Sequence, residues 1–322
     1  MSGEIGGKRI GVREVAAAAG VSTQTVSRVL NGYAGIRDAT RERVLDAVAA
    51  LDYRVNNAAR ALGTSLTRTV GVVASDAVLH GPAAGIAALE RAARARGRWI
   101  TTAYTDSDDP ADIDAAVQHL LDQGVDGIVL VAAHGATPLA GYDVPIVPLY
   151  GESGMRQRAA AALVVDHLAD LGHRRLVELG GPADWRESLA RRDGVADGVR
   201  RRALERVDRL DGDWSAASGS ALAAVVVDRV REGATAVAVA NDQMALGLMA
   251  GLSTRGVSVP GDVSVTGFDD NPDAAFYAPA LTTVRLDVEG EAEEAVAHVL
   301  GEDPVPPADP VLVPRASTAP PR

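Results

Sequence analysis

The sequence predicts a small all-α helix-turn-helix head followed by an α/β body with two lobes built on parallel sheets. The chain has 322 residues, of which 47% are hydrophobic, enough for about two domains with buried cores. The first 68 residues hold short amphipathic segments separated by glycine and polar residues. From Val70 onward, short aliphatic runs alternate with longer amphipathic segments, which is typical of parallel sheets covered on both faces.

The charge distribution supports this division of the chain. The formal net charge is −11, which taken alone argues against a nucleic-acid partner. Residues 1–68, however, carry ten basic and six acidic residues, a net of +4, and the remainder has a net of −15. This asymmetry indicates either a basic head that meets a polyanion or an ordinary solvated surface.

Composition also narrows the functional classes. The chain has no cysteine, which excludes disulfides, thiolate metal sites and cysteine nucleophiles. The longest apolar runs, such as residues 221–227, are far shorter than the roughly 18 residues that cross a bilayer. The opening MSGEIGGKRIG has no apolar stretch like that of a signal peptide, so we expect a cytoplasmic protein.

The head begins with VREVAAAAGVSTQTVSRVLNG, which predicts two short helices. Gly20 permits the sharp turn that ends the first helix, and Ser22 suits the N-cap of a second helix over 23–31. A third helix over 38–53 completes the core with Val44, Leu45, Val48 and Leu51 on one face. The residues left facing outward on the second helix are Thr23, Gln24, Ser27 and Arg28.

Such an exposed polar helix suits the DNA major groove, where Arg pairs with guanine and Gln with adenine. Thr40, Arg41 and Arg43 would contact phosphates. The alternative is a surface hairpin whose polar face is only solvated. Residues 56–62 then suffice for about two helical turns, too few to be stable alone. Leu62 there packs on the body or enters the minor groove as a wedge.

In the body, strands such as VGVVAS, GIVLVA, RLVEL, TAVAVA and VSVTGF alternate with helices, and a break at 150–154 divides them into two lobes. Ligands of open parallel sheets bind beyond the carboxyl ends of the strands. The polar residues at or between those ends are Ser75, Arg191, Trp214, Asn241, Asp242, Asp269 and Asp270. Polar groups around an indole suit a sugar, whose hydroxyls need polar partners and whose C–H face stacks on an aromatic ring.

Several of these residues have a second interpretation. Asp242 and Asp270 are better explained as N-caps of the following helices. Trp214 is a core residue, a surface lid or a ligand contact, and the pattern leaves these open. We favour a functional role for Asn241 and Asp269.

The phrases GVSTQTVSRVLN, TRERVLDAVAALDY and NNAARAL resemble the DNA-binding head and hinge of the LacI/GalR family. The resemblance implies a head of residues 1–55, a hinge of 56–68 and a two-lobed, periplasmic-binding-protein-like core of 69–322. It also implies DNA contacts by Ser22, Thr23, Gln24, Ser27, Arg28 and Asn31, and by the hinge residues Asn57, Ala59 and Leu62. Val55 departs from the family, which usually has proline there, so a more mobile free hinge is expected.

GDWSAASG, VANDQMALGLM, VTGFDDNPDAAFY and PALTTVRLD resemble the sugar-sensing core of this family. The effectors of the family are commonly saccharides or purines, and a β-galactoside or related sugar is the implied class here. The implied effector contacts are Ser75, Leu79, Pro82, Arg191, Trp214, Asn241 and Asp269. No cofactor and no metal are implied.

Two differences from the family limit how far its effector contacts can be assigned to this sequence. The segment GESGMRQR, at 151–158, is shorter than in the family and has no counterpart of an effector-contacting aspartate. Val131 and Leu286 stand where polar residues are usual. Either the ligand differs, or its affinity is low, or the response to sugar is lost.

The resulting prediction is a homodimeric repressor that binds operator DNA and is released by a saccharide. The proline-rich segment after Leu300 lacks apolar heptads, so we expect a dimer and no coiled-coil tetramer. A glycoside-processing enzyme is the first alternative, but the adjacent Asp269 and Asp270 would point to opposite sides of an extended segment. A sugar-transport binding protein is the second, although it has no use for residues 8–62.

Overall fold

In the computed structural model of the protein, the residues described are 10–53, 67–75, 78–105, 110–131, 141–151 and 154–322. The chain divides into two compact units, residues 1–67 and 68–322. Among the described residues, no helix is both long and apolar enough to cross a membrane. The finer division into a head of 1–55, a hinge of 56–68 and a core of 69–322 stays a prediction.

The head contains the helices α1 (Val12–Ala19), α2 (Thr23–Leu30) and α3 (Asp38–Ala50). Gly20 ends α1 in the left-handed region, with a φ of 64°, a conformation that costs glycine little. The Ser22 hydroxyl caps α2 by accepting the Thr25 N–H at 3.1 Å. Valines from all three helices form the core. Leu45 was expected in this core, but it is 48% exposed, and Ala47 is buried in that helix instead.

The first lobe of the body is one parallel sheet with the strand order β2-β1-β3-β4. Its strands are β1 (Thr69–Ser75), β2 (Trp99–Thr105), β3 (Gly127–Val131) and β4 (Ile146–Pro148). Its helices are α4 (His80–Ala95), α5 (Pro110–Asp122) and, from far along the chain, α10 (Val288–Leu300). Helix α10 packs its alanines and valines against β1, β3 and α4.

The second lobe repeats this arrangement with the strand order β6-β5-β7-β8. Its strands are β5 (Arg175–Gly180), β6 (Glu205–Asp211), β7 (Ala236–Val239) and β8 (Ser264–Thr266). Its helices are α6 (Met155–Asp170), α7 (Arg186–Arg202), α8 (Ala216–Arg231) and α9 (Asp242–Ser253). A 3₁₀ turn (Ala274–Phe276) and the antiparallel pair β9 (Thr283–Arg285) and β10 (Val311–Val313) complete it.

Both sheets are parallel, as the alternating pattern predicts, and the chain crosses between the lobes after Tyr150. Helix α10 and strand β6 were not predicted. Strand β6 has a charged sequence, ERVDRLD, and forms the edge of its sheet beside β5. Its charges are paired: Arg206 bonds to the buried Glu178 at 2.7 Å, and Asp208 bonds to Arg229 at 2.8 Å.

Candidate functional site

A cavity opens between the two lobes at the carboxyl ends of the strands. It is a cleft that is partly open to solvent, and the space within it, counted together with that open solvent, is about 430 Å³. The first part of the body supplies Leu79, Gly81, Pro82, Val131 and Tyr150 to its lining, and the second lobe supplies Trp185, Glu187, Arg191, Trp214, Asn241, Gln243 and Asp269. The cavity therefore has an apolar side and a side of mixed polar and aromatic character.

Six of the seven sequence-predicted effector residues meet in this cavity: Leu79, Pro82, Arg191, Trp214, Asn241 and Asp269. Ser75 is buried at the end of β1 and is not among the lining residues. These six come from both lobes and are separated by as many as 190 residues in the sequence. They meet because the segments that carry them follow the carboxyl ends of β1, β5, β6, β7 and β8, which face the cleft.

Arg191, on α7, is held in place by three hydrogen bonds. Its Nε donates to Gln157 Oε1 at 2.8 Å, its Nη2 to Asp269 Oδ1 at 3.1 Å, and its Nη1 to the Ala240 carbonyl. The guanidinium also lies 3.8 Å from the centre of the Phe268 ring. Three acceptors around one planar group fix its orientation, which makes Arg191 a rigid part of the cavity wall.

The two adjacent aspartates face different partners. Asp269 bonds to Arg191 at the cavity. Burial raises the pKa of the Asp269 carboxyl, and the positive charge of Arg191 lowers it by a smaller amount. Asp270 bonds to Arg285 at 2.7 Å and to Arg315 at 2.6 Å. The expectation that Asp270 caps a helix is wrong, because its carboxylate ties the end of β8 to β9 and the C-terminal segment. Both residues have positive φ, 105° and 51°, a strained conformation that clusters at functional sites.

At the start of α9, Asn241 and not Asp242 is the capping residue. Asn241 is the N-cap: its Oδ1 accepts the Met244 N–H at 2.9 Å, and its Nδ2 donates to the Trp214 carbonyl at 2.9 Å. The expectation that Asp242 is the cap is wrong. Asp242 is buried one residue further on and accepts hydrogen bonds from the Asn271 N–H and the Thr283 hydroxyl. Asn241 thus positions Trp214 while it lines the cavity.

Two indoles form the aromatic part of the wall. Trp185 and Trp214 have ring centres 5.7 Å apart and planes inclined at 57°. Trp214 has a φ of 70° and rests on Gly181, where a Cβ atom would lie 2.3 Å from the indole. The Trp214 Nε1 is buried and has no partner within the described residues. The indole therefore offers the cavity both an apolar surface and a hydrogen-bond donor.

Sequence reasoning missed Tyr150, Trp185, Glu187 and Gln243 as lining residues. A signal for two of them was present, because Trp185 and Glu187 follow the carboxyl end of β5 and begin α7. Gln243 lies in the first turn of α9, and its Oε1 accepts the His80 N–H of the first lobe at 3.0 Å. This bond joins the lobes at the rim of the cavity.

The head presents a second candidate surface. Ser22, Thr23, Gln24, Ser27 and Arg28 are exposed along one side of α2. Asn31 is half-buried and donates to the Ser27 hydroxyl at 3.3 Å. Arg28 lies over the Tyr33 ring, 5.7 Å from its centre. The predicted hinge residues Val55, Asn57, Ala59 and Leu62 lie outside the described residues.

A helix-turn-helix head joined to a two-lobed binding body defines a ligand-responsive regulator of transcription. Residues 12–56 match the lacI family of bacterial regulatory proteins, and residues 165–318 match the periplasmic binding protein-like domain. The lactose operon repressor of Escherichia coli (strain K12) is 32% identical over 307 residues, which cover 91% of this chain and 84% of that protein. The chain belongs to the LacI family.

Solved structures agree with this assignment. The lac repressor dimer bound to operator and the anti-inducer ONPF has a TM-score of 0.78 and 28% identity, with 97% of this chain and all of that chain covered. The complex of the transcriptional regulator CelR with cellobiose has a TM-score of 0.65 and 27% identity, covering 96% of this chain and all of that one. The relatives are regulators of transcription, in agreement with the expectation that the chain is not an enzyme.

Proposed function

We propose that the protein is a cytoplasmic, homodimeric repressor that binds a pseudo-palindromic operator and is released by a saccharide bound between the lobes. The observation that carries this proposal is the constellation of Arg191, Asp269 and two indoles in the cleft between the lobes, in a chain whose head has a helix-turn-helix. Polar groups that surround an aromatic surface are suited to hydroxyls and C–H faces on the same ligand.

The proposed DNA contacts are Ser22, Thr23, Gln24, Ser27, Arg28, Asn31, Asn57, Ala59 and Leu62. The exposed side of α2 supports the first of these, because short polar side chains and an arginine there can reach base edges. The proposed effector contacts are Ser75, Leu79, Pro82, Arg191, Trp214, Asn241 and Asp269. Relatives named for lactose and in complex with cellobiose support a disaccharide or a β-galactoside as the class.

Selection of operators from randomised duplexes tests the DNA half of the proposal. We expect the purified protein to enrich two half-sites about one helical turn apart. Arg28→Ala should cost about 1–3 kcal/mol at one base position and relax specificity there. Arg43→Ala, on the exposed side of α3, is the control and should weaken binding evenly across sequences. Failure to enrich any site would contradict the proposal.

Operator release by sugars tests the effector half. Lactose, cellobiose and phenyl β-galactoside are titrated into the protein–operator complex, and dissociation is followed by fluorescence anisotropy. Asp269→Ala should bind operator as before and lose the response, because the carboxylate that orients Arg191 is gone. Since the coupling between sites is reciprocal, saturating operator should weaken sugar binding by the same factor. A normal response in the variant would show that the cleft is not the effector site.

A further inference from the structure

We infer that Tyr33 is a positioning residue for operator recognition, and that its ring holds the guanidinium of Arg28 in position to read a base. The inference rests on the proposed function, since it concerns the way in which Arg28 meets the operator. Tyr33 is not among the DNA contacts proposed above. It is 63% exposed in the turn that follows α2, so most of its ring lies outside the core of the head.

The backbone of this turn brings Tyr33 back to Arg28. Gly32 has a φ of 73°, which lets the chain reverse direction after the last turn of α2. The Tyr33 N–H donates to the Arg28 carbonyl at 3.0 Å, and the Gly32 N–H donates to the Val29 carbonyl at 3.1 Å. These are the two hydrogen bonds of a Schellman motif. The motif therefore holds Tyr33 beside the helical turn that carries Arg28.

Helix α3 holds the same turn at a second point. The Arg41 Nη2 donates to the Tyr33 carbonyl at 2.8 Å. Leu30 and Ile36, which lie before and after the turn, pack against the core of the head. A turn that is fixed at its backbone and at both ends leaves the Tyr33 side chain few positions to adopt. The ring therefore has a defined place beside α2.

The contact between the two side chains leaves the arginine able to bind a base. The Arg28 Cζ lies 5.7 Å from the centre of the Tyr33 ring, within the distance of about 6 Å at which a cation is attracted to an aromatic face. A contact with a ring engages none of the five N–H groups of the guanidinium in a hydrogen bond. Those groups are still able to donate to a base edge.

Restraint of this kind favours recognition of guanine. Arginine pairs with guanine O6 and N7 through two N–H groups at once, which requires its planar group to lie in the plane of the base edge. An unrestrained arginine loses many rotamers when it forms this pair. A ring that already limits those rotamers removes part of the loss before DNA binds. Tyr33 is therefore expected to increase discrimination at the base that Arg28 reads.

A double-mutant cycle on the full-length protein tests the assignment. The operator obtained by the selection above is titrated with the wild type, Tyr33→Ala, Arg28→Ala and the double variant, and binding is followed by fluorescence anisotropy. Tyr33→Ala should weaken binding about two- to fivefold for each bound head, which corresponds to about 0.5–1 kcal/mol. In the Arg28→Ala background it should have no further effect, because the ring then has no guanidinium to hold. Tyr33→Phe keeps the ring and should restore binding.

Base preference gives a measurement that a purely structural role of Tyr33 would not change in this way. Tyr33→Ala should relax the preference at the same base position as Arg28→Ala and leave the other positions unchanged. Arg43→Ala is the control for the cycle. A phosphate contact made by Arg43 does not depend on Tyr33, so the effects of these two substitutions should combine independently.

The outcomes separate this inference from the proposed function. Equal losses from Tyr33→Ala with and without Arg28, or no loss at all, would overturn the inference and leave operator binding and the Arg28 contact standing. A loss in Tyr33→Phe would do the same, because it would assign the effect to the hydroxyl. A protein that binds no operator, or whose base preferences survive Arg28→Ala, would overturn both this inference and the proposed base contact.

Discussion

The two lobes of the body have the same strand order, yet they bring different chemistry to the cleft. The first lobe contributes Leu79, Pro82 and Val131, whereas the second contributes the tryptophans, Glu187, Arg191, Asn241 and Asp269. Every hydrogen bond that fixes Arg191 is also made within the second lobe. The second lobe is therefore expected to determine which ligand binds, and the first lobe to cover it with an apolar surface.

Helix packing differs between the lobes in a related way. Helices α8 and α9 approach so closely that a Cβ at Gly219 would lie 2.1 Å from the Met244 carbonyl, and one at Gly247 would lie 1.7 Å from that of Ala216. In the first lobe, a Cβ at Gly85 would meet a side chain, that of Leu149, at 2.5 Å. Backbone cannot move aside as a side chain can, so the second lobe is the more rigid frame.

Gly247→Ala should give the largest loss of stability. The new methyl group collides with the Ala216 carbonyl, and α8 and α9 must separate, which we expect to cost about 4 kcal/mol or more of unfolding free energy. Urea denaturation measures the change. Gly81→Ala is the matched control in the first lobe, where a Cβ meets nothing within 4 Å, and should change stability by less than about 0.5 kcal/mol. If the two substitutions changed the unfolding free energy equally, the inferred difference in helix packing between the two lobes would be wrong.

Asp242 should make the stability of the second lobe depend on pH. Burial, together with the charge of Asp269, raises the pKa of Asp242 to about 7, above the value of about 3.9 in an unfolded chain. The folded protein thus holds this proton more tightly, so the stabilisation is complete below about pH 4 and is lost as the pH rises through 7. Relative to Asp242→Asn, the unfolding free energy should fall by on the order of 3 kcal/mol between pH 4 and pH 8.

Parallel pH-dependent curves for the wild type and Asp242→Asn would contradict this prediction. The comparison uses the slope, because the amide also alters the hydrogen bonds with Thr283 and Asn271 by an amount that does not vary with pH. Asp262→Asn, in the exposed turn before β8, is a control that should not change the slope.

Arg191→Ala should act on stability and on ligand binding together. It leaves the largely buried Asp269 and Gln157 without their partner, at a cost of about 3 kcal/mol, and it should abolish sugar binding while operator binding persists. Arg191→Lys keeps the charge and loses the planar fork, so we expect partial recovery of stability and little recovery of binding. Calorimetric titration and thermal unfolding measure the two effects. Full sugar binding by the alanine variant would show that the second lobe does not determine the ligand.

The parts of this structure that follow local rules were predictable from the sequence. Gly20 and Ser22 mark the turn and cap between α1 and α2, and the aliphatic runs mark the central strands. Strand β6 was missed because its charged side chains find partners that only the folded sheet supplies, such as Glu178 and Arg229.

The details of the cleft depended equally on three-dimensional context. Asn241 and Asp242 are both good capping residues, and the extended backbone at Asn241, with φ −152° and ψ 165°, decides between them. The residue types alone do not show which of the two caps α9. The place of Trp185 and Glu187 in the cleft could have been predicted from their position after β5. The contact of Gln157 with Arg191 could not, because it joins two helices, α6 and α7, whose packing cannot be predicted from the hydrophobic pattern.

Val131→Thr tests the contribution of the first lobe to the cleft, and it should have the smallest effect of these substitutions. Val131 is buried at the end of β3, where it lines the cavity. The hydroxyl replaces a methyl group of similar size in an apolar wall, so we expect a loss of about 1 kcal/mol of stability and slightly weaker sugar binding. If the first lobe is only a cover, a new hydroxyl there finds no partner on the ligand. Tighter sugar binding by this variant, measured by tryptophan fluorescence, would show that sugar hydroxyls face both lobes and that recognition is shared between them.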